Sequence, residues 1–267
     1  MSGRGVALRL DDVGAASKRY EVYGLTRIPL GRWALPFPGD FLFLKYVPPI
    51  RRWGPYRELS ASEWETILSA LEASGSRMTV GVTAGWVETG GQVTPFSQKF
   101  PEAASIIREG VRRRLLEVAN HGYTHCVLRD GLYRPRLFSG NRQYHREFHD
   151  WLPEATHREH LRRAQGILEG YFEARVVTLV PPGNLFSRKT LAAAVEVGIR
   201  YLSCRDAGRL GPCDGVTFVD DADVVALHDR DVVLGGLGRL RTLLRDDRRA
   251  PFVTVREFGE RVGGGAA

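Results

Sequence analysis

The chain reads as an α/β fold, an incomplete or distorted β/α barrel of about seven parallel strands, with a doubly wound open sheet as the competitor. Three observations predict this. Short apolar runs alternate with segments of helical period along most of the 267 residues. Four of the runs end in polar groups capable of chemistry, where folds of this class carry their sites. No internal repeat or linker-like stretch divides the chain, so residues 1–267 are expected to form one domain, with long loops at about 15–60 and 130–151.

The first strand is the apolar run from Gly5 to Leu10, which enters Asp11-Asp12 and then Gly14. Adjacent carboxylates repel, so such a pair needs a cation or strong donors nearby, or else it is a solvated turn. Residues 15–60 show no clean period and are rich in Pro, Gly and aromatics. The stretch 28–53 is open to several readings: an apolar substrate groove, a membrane-surface hairpin, an insertion packed over the core, or a contact with a partner chain.

Ser60-Ala61-Ser62-Glu63 resembles a capping box, and Trp64, Ile67, Leu68 and Leu71 give the stripe of the helix it opens. Met78–Thr83 is the second strand. Pro101 starts a helix that runs to the basic Arg112–Arg114, favoured at its C-terminal end. Leu115–Asn120 is the third strand and delivers His121-Gly122-Tyr123-Thr124-His125. A helix over about 155–171 leads to a fourth strand, Arg175–Val180, ending in Pro181-Pro182-Gly183-Asn184. Ser187 caps a helix that Gly198 stops. Strands at 199–203, 216–219 and 223–227 follow, the last ending in His228, and helices near 234–244 and 255–262 complete the chain.

Composition narrows the function. A hydrophobic fraction of 43% with 26% charged residues describes an ordinary globular protein. The net charge of +7 rests on arginines spread along the chain, since Lys18, Lys45, Lys99 and Lys189 are the only lysines. Nucleic-acid binding would cluster them with aromatics, so no nucleic-acid partner is expected, whereas anionic substrates are compatible. Glycine-rich phosphate fingerprints are absent. Cys126, Cys204 and Cys213 are odd in number and lack a CxxC spacing, which points to a reducing compartment. With no apolar signal-peptide core and no apolar run of about 18 residues, the expected location is cytoplasmic, with at most a peripheral membrane contact.

One Asp with two His makes a three-ligand set typical of a catalytic divalent metal. His121 and His125, spaced i, i+4, reach one ion if the segment is helical or tightly turned. His145, His149, His157 and His160 crowd a second region around Glu147, where packing roles outweigh a second metal site.

Leu10-Asp11-Asp12-Val13, Asn120-His121-Gly122-Tyr123-Thr124-His125, Val180-Pro181-Pro182-Gly183-Asn184 and Leu227-His228 resemble, in order, the motifs of the polysaccharide deacetylase (NodB-homology) superfamily. The resemblance implies a distorted β/α-barrel metal hydrolase that removes N-acetyl groups from amino sugars. It implies that Asp12, His121 and His125 ligate Zn²⁺ or a similar divalent ion, that Asp11 is the general base, and that His228 protonates the departing amine. Pro182, Gly183 and Asn184, with Glu147 and His149, are the candidate substrate-binding residues. An amino-sugar or glycan precursor, nucleotide-, lipid- or metabolite-linked, is the implied substrate.

Two departures stand out. The family's arginine before the proline motif is Val180 here, leaving Arg9, Arg146 or Arg205 as substitutes; and the acid of the next motif is Asp206 or Asp220. Hydrolysis of another amide or C–N bond, such as deformylation, and a catalytically inactive sugar-binding barrel are the alternatives.

Overall fold

The protein is described by a computed structural model over residues 5–41, 43–129, 132–133, 144–245 and 251–263. Seven strands form one sheet: β1 (Ala7–Val13), β2 (Met78–Val82), β3 (Leu116–Asn120), β4 (Thr178–Leu179), β5 (Tyr201–Cys204), β6 (Thr217–Asp220) and β7 (Val224–His228). All neighbours pair in parallel, in the order β6-β5-β4-β3-β2-β1-β7. β6 and β7 therefore lie at opposite edges, yet only Asp221–Asp223 joins them. Four Cα steps span at most about 15 Å, so the sheet curls until its edges nearly meet. This is the distorted barrel, and the open doubly wound sheet is excluded.

The curl divides the side chains of each strand. Leu8 and Leu10 of β1 face outward and pack with Val80, Val82, Trp64, Ile67 and Ile107 in the main core. The alternate residues Arg9 and Asp11 face the lumen, as the period of two demands. Arg9 Nη1 donates to Ser203 Oγ on β5 at 2.6 Å, a contact that crosses the interior between strands not adjacent in the sheet. Below it, Thr79 Oγ1 donates to Glu117 at 2.6 Å, and Glu117 also accepts from the Arg256 backbone N–H at 3.1 Å.

Seven helices are labelled: α1 (Ala61–Ala73), α2 (Pro101–Arg112), α3 (Glu154–Phe172), α4 (Arg188–Glu196), α5 (Asp229–Gly235), α6 (Gly238–Leu244) and α7 (Val255–Gly263). Ser60 and Glu63 form the expected capping box on α1. The single helix expected near 234–244 is two, because Gly236 at φ 72° breaks the chain between α5 and α6. Among the described residues no helix is long and apolar enough to cross a membrane.

Two regions depart from the expected loops. Residues 15–60 carry a pairing of Tyr23–Gly24 with Arg51–Trp53 and a hairpin, Arg27–Leu30 with Trp33–Pro36. Thr26 to Pro36 are all exposed, so this hairpin is not packed over the core. A second small hairpin, Gly85–Val87 with Val93–Pro95, follows β2. Much of the 130–151 loop lies outside the described residues.

Candidate metal and active site

The site begins with an irregularity in β1. Leu10 is opposite Val80 and Val13 opposite Val82, so β1 holds one residue more than β2 over this interval. Such a bulge re-aims a side chain. Asp12 takes up the extra residue with φ 70°, a left-handed conformation that Asp tolerates better than most residues. Asp11 thus stays with Arg9 in the lumen, while Asp12 turns to the pair of histidines. Asp11 is also opposite His228 on β7, which places both at the rim of neighbouring strands.

His121 leaves the end of β3, where its backbone N–H donates to Val82 O at 3.0 Å. The following turn is not helical: Gly122 has φ 82° and His125 φ 61°. Only glycine fits at 122, since a Cβ there would lie 2.0 Å from Glu147 Oε2. The tight turn brings both imidazoles to one carboxylate oxygen. Asp12 Oδ1 lies 3.3 Å from His121 Nε2 and 3.2 Å from His125 Nε2. The three donor atoms fall within 4.8 Å of one another, and no other group of three His, Cys, Asp or Glu among the described residues meets that test.

Their surroundings fit a divalent ion. His121 Nδ1–H donates to Val180 O at 2.6 Å, which orients the ring with Nε2 toward Asp12. Burial would raise the Asp12 carboxyl, but hydrogen bonds from His121 and His125 and the charge of His228 hold it well below the usual range. Burial opposes the charge on His125, yet Asp12 raises its pKa. An anionic oxygen between two buried imidazoles is a donor set suited to zinc-like ions.

Arg9 supplies the contact that Val180 cannot. Its Nε donates to Asp11 Oδ1 at 2.9 Å and its Nη2 to Oδ2 at 2.9 Å, a two-pronged grip with both residues buried. Arg146 and Arg205, the other candidates, do not reach Asp11: Arg146 packs over Gly183, and the Arg205 backbone N–H donates to Asn184. The second acid on Arg9 is Asp221, at 3.1 Å, which sequence reasoning missed. Asp220 accepts instead from the Ala207 and Ala222 N–H groups, and Asp206 sits in a turn at φ 51°.

A cleft of about 500 Å³ opens over this rim, lined by Asp11, Asp12, His121, His125, Gly183, Asn184 and His228 among others. His228 is the N-cap of α5, and its backbone N–H donates to Asp231 at 3.0 Å. Burial disfavours its charge, but Asp231, Asp12 and Asp11 raise its pKa. Glu21, Tyr56 and Arg230 also line the cleft and were not singled out from the sequence. Arg230 lies two residues past His228, in the first turn of α5, and its Nη1 is 3.7 Å from Asp12 Oδ2. That offset is the one sequence signal that could have found it.

Three of the expected substrate-binding residues stand elsewhere. Glu147 is buried behind the metal turn, where it accepts from the backbone N–H groups of Tyr123 (3.0 Å), Thr124 (3.3 Å) and His125 (3.0 Å) and from His160 Nδ1 at 2.5 Å. It is a support for the turn rather than a cleft wall. His149 stacks on Trp151 at 5.2 Å, away from the cleft. Pro182 is buried beneath Gly122. His157 is bound to Thr190 and to the His149 carbonyl, a packing role.

Residues 54–202, more than half of the chain, match the family model described as Polysaccharide deacetylase. Among solved structures the chain is similar to a CE4 family pseudoenzyme from Bacillus anthracis, with a TM-score of 0.52 at 12% identity over 97% of this chain and 66% of that one. A mutant of that pseudoenzyme with restored enzymatic activity gives 0.52 at 12% identity, over 97% and 68%. A family 4 carbohydrate esterase from Streptomyces lividans, in complex with acetate, gives 0.45 at 15% identity, over 92% and 91%. No curated protein matches the chain. The two likenesses at a TM-score of 0.52 show the fold of the CE4 family, and the family match carries the rest: the chain belongs to the polysaccharide deacetylase family.

Proposed function

We propose that the protein is a metal-dependent hydrolase that removes an N-acetyl group from an amino-sugar-containing precursor, nucleotide-, lipid- or metabolite-linked. The observation that carries this reading is one anionic oxygen with two imidazole nitrogens, beside a second carboxylate clamped by a buried arginine. A divalent ion of the zinc kind held by Asp12, His121 and His125 would supply Lewis-acid polarisation of the acyl carbonyl and a lowered pKa for water.

The chain's own groups supply the proton chemistry. Asp11 accepts the proton of the attacking water, and the Arg9 fork fixes the plane of its carboxylate. His228, whose pKa its acidic neighbours raise against the effect of burial, donates a proton to the departing amine. Gly183 and Asn184 border the cleft where the sugar would lie. Asn184 Oδ1 is occupied by the Arg205 N–H at 3.2 Å, which leaves its NH₂ for a sugar hydroxyl.

The test is metal analysis of the purified protein paired with acetate release from N-acetyl sugars, nucleotide sugars and simple amides. Asp12→Ala is expected to lose metal and turnover together, whereas Asp11→Asn keeps the metal and loses turnover. Activity confined to formyl or non-sugar amides would redirect the assignment to another C–N bond. An inactive sugar-binding barrel is the reading that Val180 favours. The Arg9 clamp weighs against it, and metal-loaded protein that binds sugars without releasing acetate would establish it.

A further inference from the structure

The hairpin Arg27–Leu30 with Trp33–Pro36 belongs to no core. Thr26 to Pro36 are exposed on both faces, with Leu30 at 62% and Trp33 at 65% of full exposure. Phe41 and Phe43 add 61% and 55% a few residues on. A two-stranded ribbon that buries nothing is marginal on its own, and a contiguous apolar patch of this kind marks a contact with something else.

The charges select the occupant. Between residues 23 and 53 the sequence has Arg27, Arg32, Lys45, Arg51 and Arg52 but a single acid, Asp40, whose carboxylate accepts from the Gly24 N–H at 2.7 Å. Aromatics stand beside the cations: the Arg32 guanidinium lies 5.4 Å from the Trp33 ring and Lys45 Nζ 5.4 Å from the Tyr46 ring. A second copy of the chain would bring five more cations to the same face. It would also meet Pro29 and Pro36 in the hairpin strands, which deny an added strand its full ladder. Apolar and indole side chains ringed by arginines match the interface of an anionic bilayer.

We infer that the hairpin Arg27–Leu30 with Trp33–Pro36, together with Phe41, is a membrane-docking element that inserts Leu30, Trp33, Leu35 and Phe41 among the acyl chains of an anionic lipid surface while its arginines meet the headgroups. The element is continuous with the cleft. Tyr23 stacks on Trp53 at 4.2 Å, the Arg230 guanidinium lies 5.0 Å from the Trp53 ring, and both Tyr23 and Arg230 line the cleft. Docking therefore sets the cleft wall beside the headgroups. The inference does not depend on the proposed deacetylation.

The experiment is co-flotation of the full chain with phosphatidylcholine vesicles, with and without phosphatidylglycerol, over a salt series. The protein is expected to float with the anionic vesicles, less as salt rises, and to stay behind with phosphatidylcholine alone. Arg27→Ala and Arg32→Ala should each weaken partitioning about fivefold. The triple variant Leu30→Ser, Trp33→Ser, Leu35→Ser should abolish it with an unchanged Tm, because those side chains support no core. Failure to float at low salt, or flotation of the triple variant equal to wild type, would overturn the inference. So would a wild-type dimer in sedimentation that the triple variant splits into monomers, which would assign the patch to a second copy.

Discussion

Arg9 is the residue on which the site's chemistry turns. A guanidinium buried in a strand demands anionic partners, and Asp11 two residues away on the same face, with Asp221 beyond it, provides them. The fork matters as much as the charge. Arg9→Lys keeps a cation but cannot hold both Asp11 oxygens in one plane. Turnover is expected to fall about 10- to 100-fold with metal content unchanged, a loss of the size seen when outer-shell partners are removed. Acetate release alongside metal analysis checks this; a variant with wild-type turnover would leave Asp11 without need of its clamp. The cysteines give a second prediction at this scale. Burial pushes the thiols of Cys126 and Cys204 up to about 12 each, and Cys213 is the more exposed one. Thiolate is the reactive form, so a disulfide reagent should modify a single thiol in the native protein, Cys213, and all three after denaturation.

At the scale of elements, the metal triad depends on two departures from regular structure, the β1 bulge at Asp12 and the left-handed turn from Gly122 to His125. Each is held from behind. Glu147 collects three backbone N–H groups of the turn and a nitrogen of His160 from α3. Glu147→Gln keeps the volume but offers one acceptor oxygen where two served, so the turn loosens. Metal affinity should drop about 10- to 100-fold in a chelator competition, and Tm should also fall in the metal-free protein, because the new NH₂ leaves buried backbone N–H donors unsatisfied. These supports explain what could be read from the sequence. Strands β1, β2 and β3 and helices α1, α2 and α3 are legible because their apolar periods match burial. Asp12 and His121 are legible because they stand at the ends of apolar runs, and His125 because it lies four residues beyond His121. Glu147 is expected in the sugar site, but its supporting role is not legible, since a carboxylate that binds backbone amides carries no spacing signal. Asp221 is equally silent, because its link to Arg9 exists only once the sheet has curled, and Arg9 itself stands out only as a charge inside an apolar strand.

Across the whole molecule, one buried cation fastens the N-terminal segment to the last strand–helix junction. Lys18 Nζ donates to Glu58 at 2.6 Å and to Asp229 at the start of α5, and Tyr56 donates to the other Asp229 oxygen at 2.9 Å. Glu58 also accepts from the Gly14 N–H at 2.8 Å, directly after the metal-bearing bulge. Burial opposes the charge on Lys18, but Asp229 and Glu58 raise its pKa above the ordinary value of 10.5. A raised pKa means that this stabilisation is complete below about pH 10.5 and is lost only as pH rises through the folded value. Burial also pushes the Asp229 carboxyl up to about 7, against the pull of Lys18. Lys18→Met fills the space yet leaves two carboxylates facing each other in the interior, so it should destabilise by about 3–5 kcal/mol near neutral pH. The variant's carboxyls then hold protons more tightly than in the unfolded chain, and acid neutralises their repulsion. The gap in Tm between wild type and Lys18→Met is therefore expected to narrow from about pH 7 to about pH 4, as thermal melts over that range would show. A gap that stayed constant with pH would mean that the loss comes from packing and not from the unpaired acids.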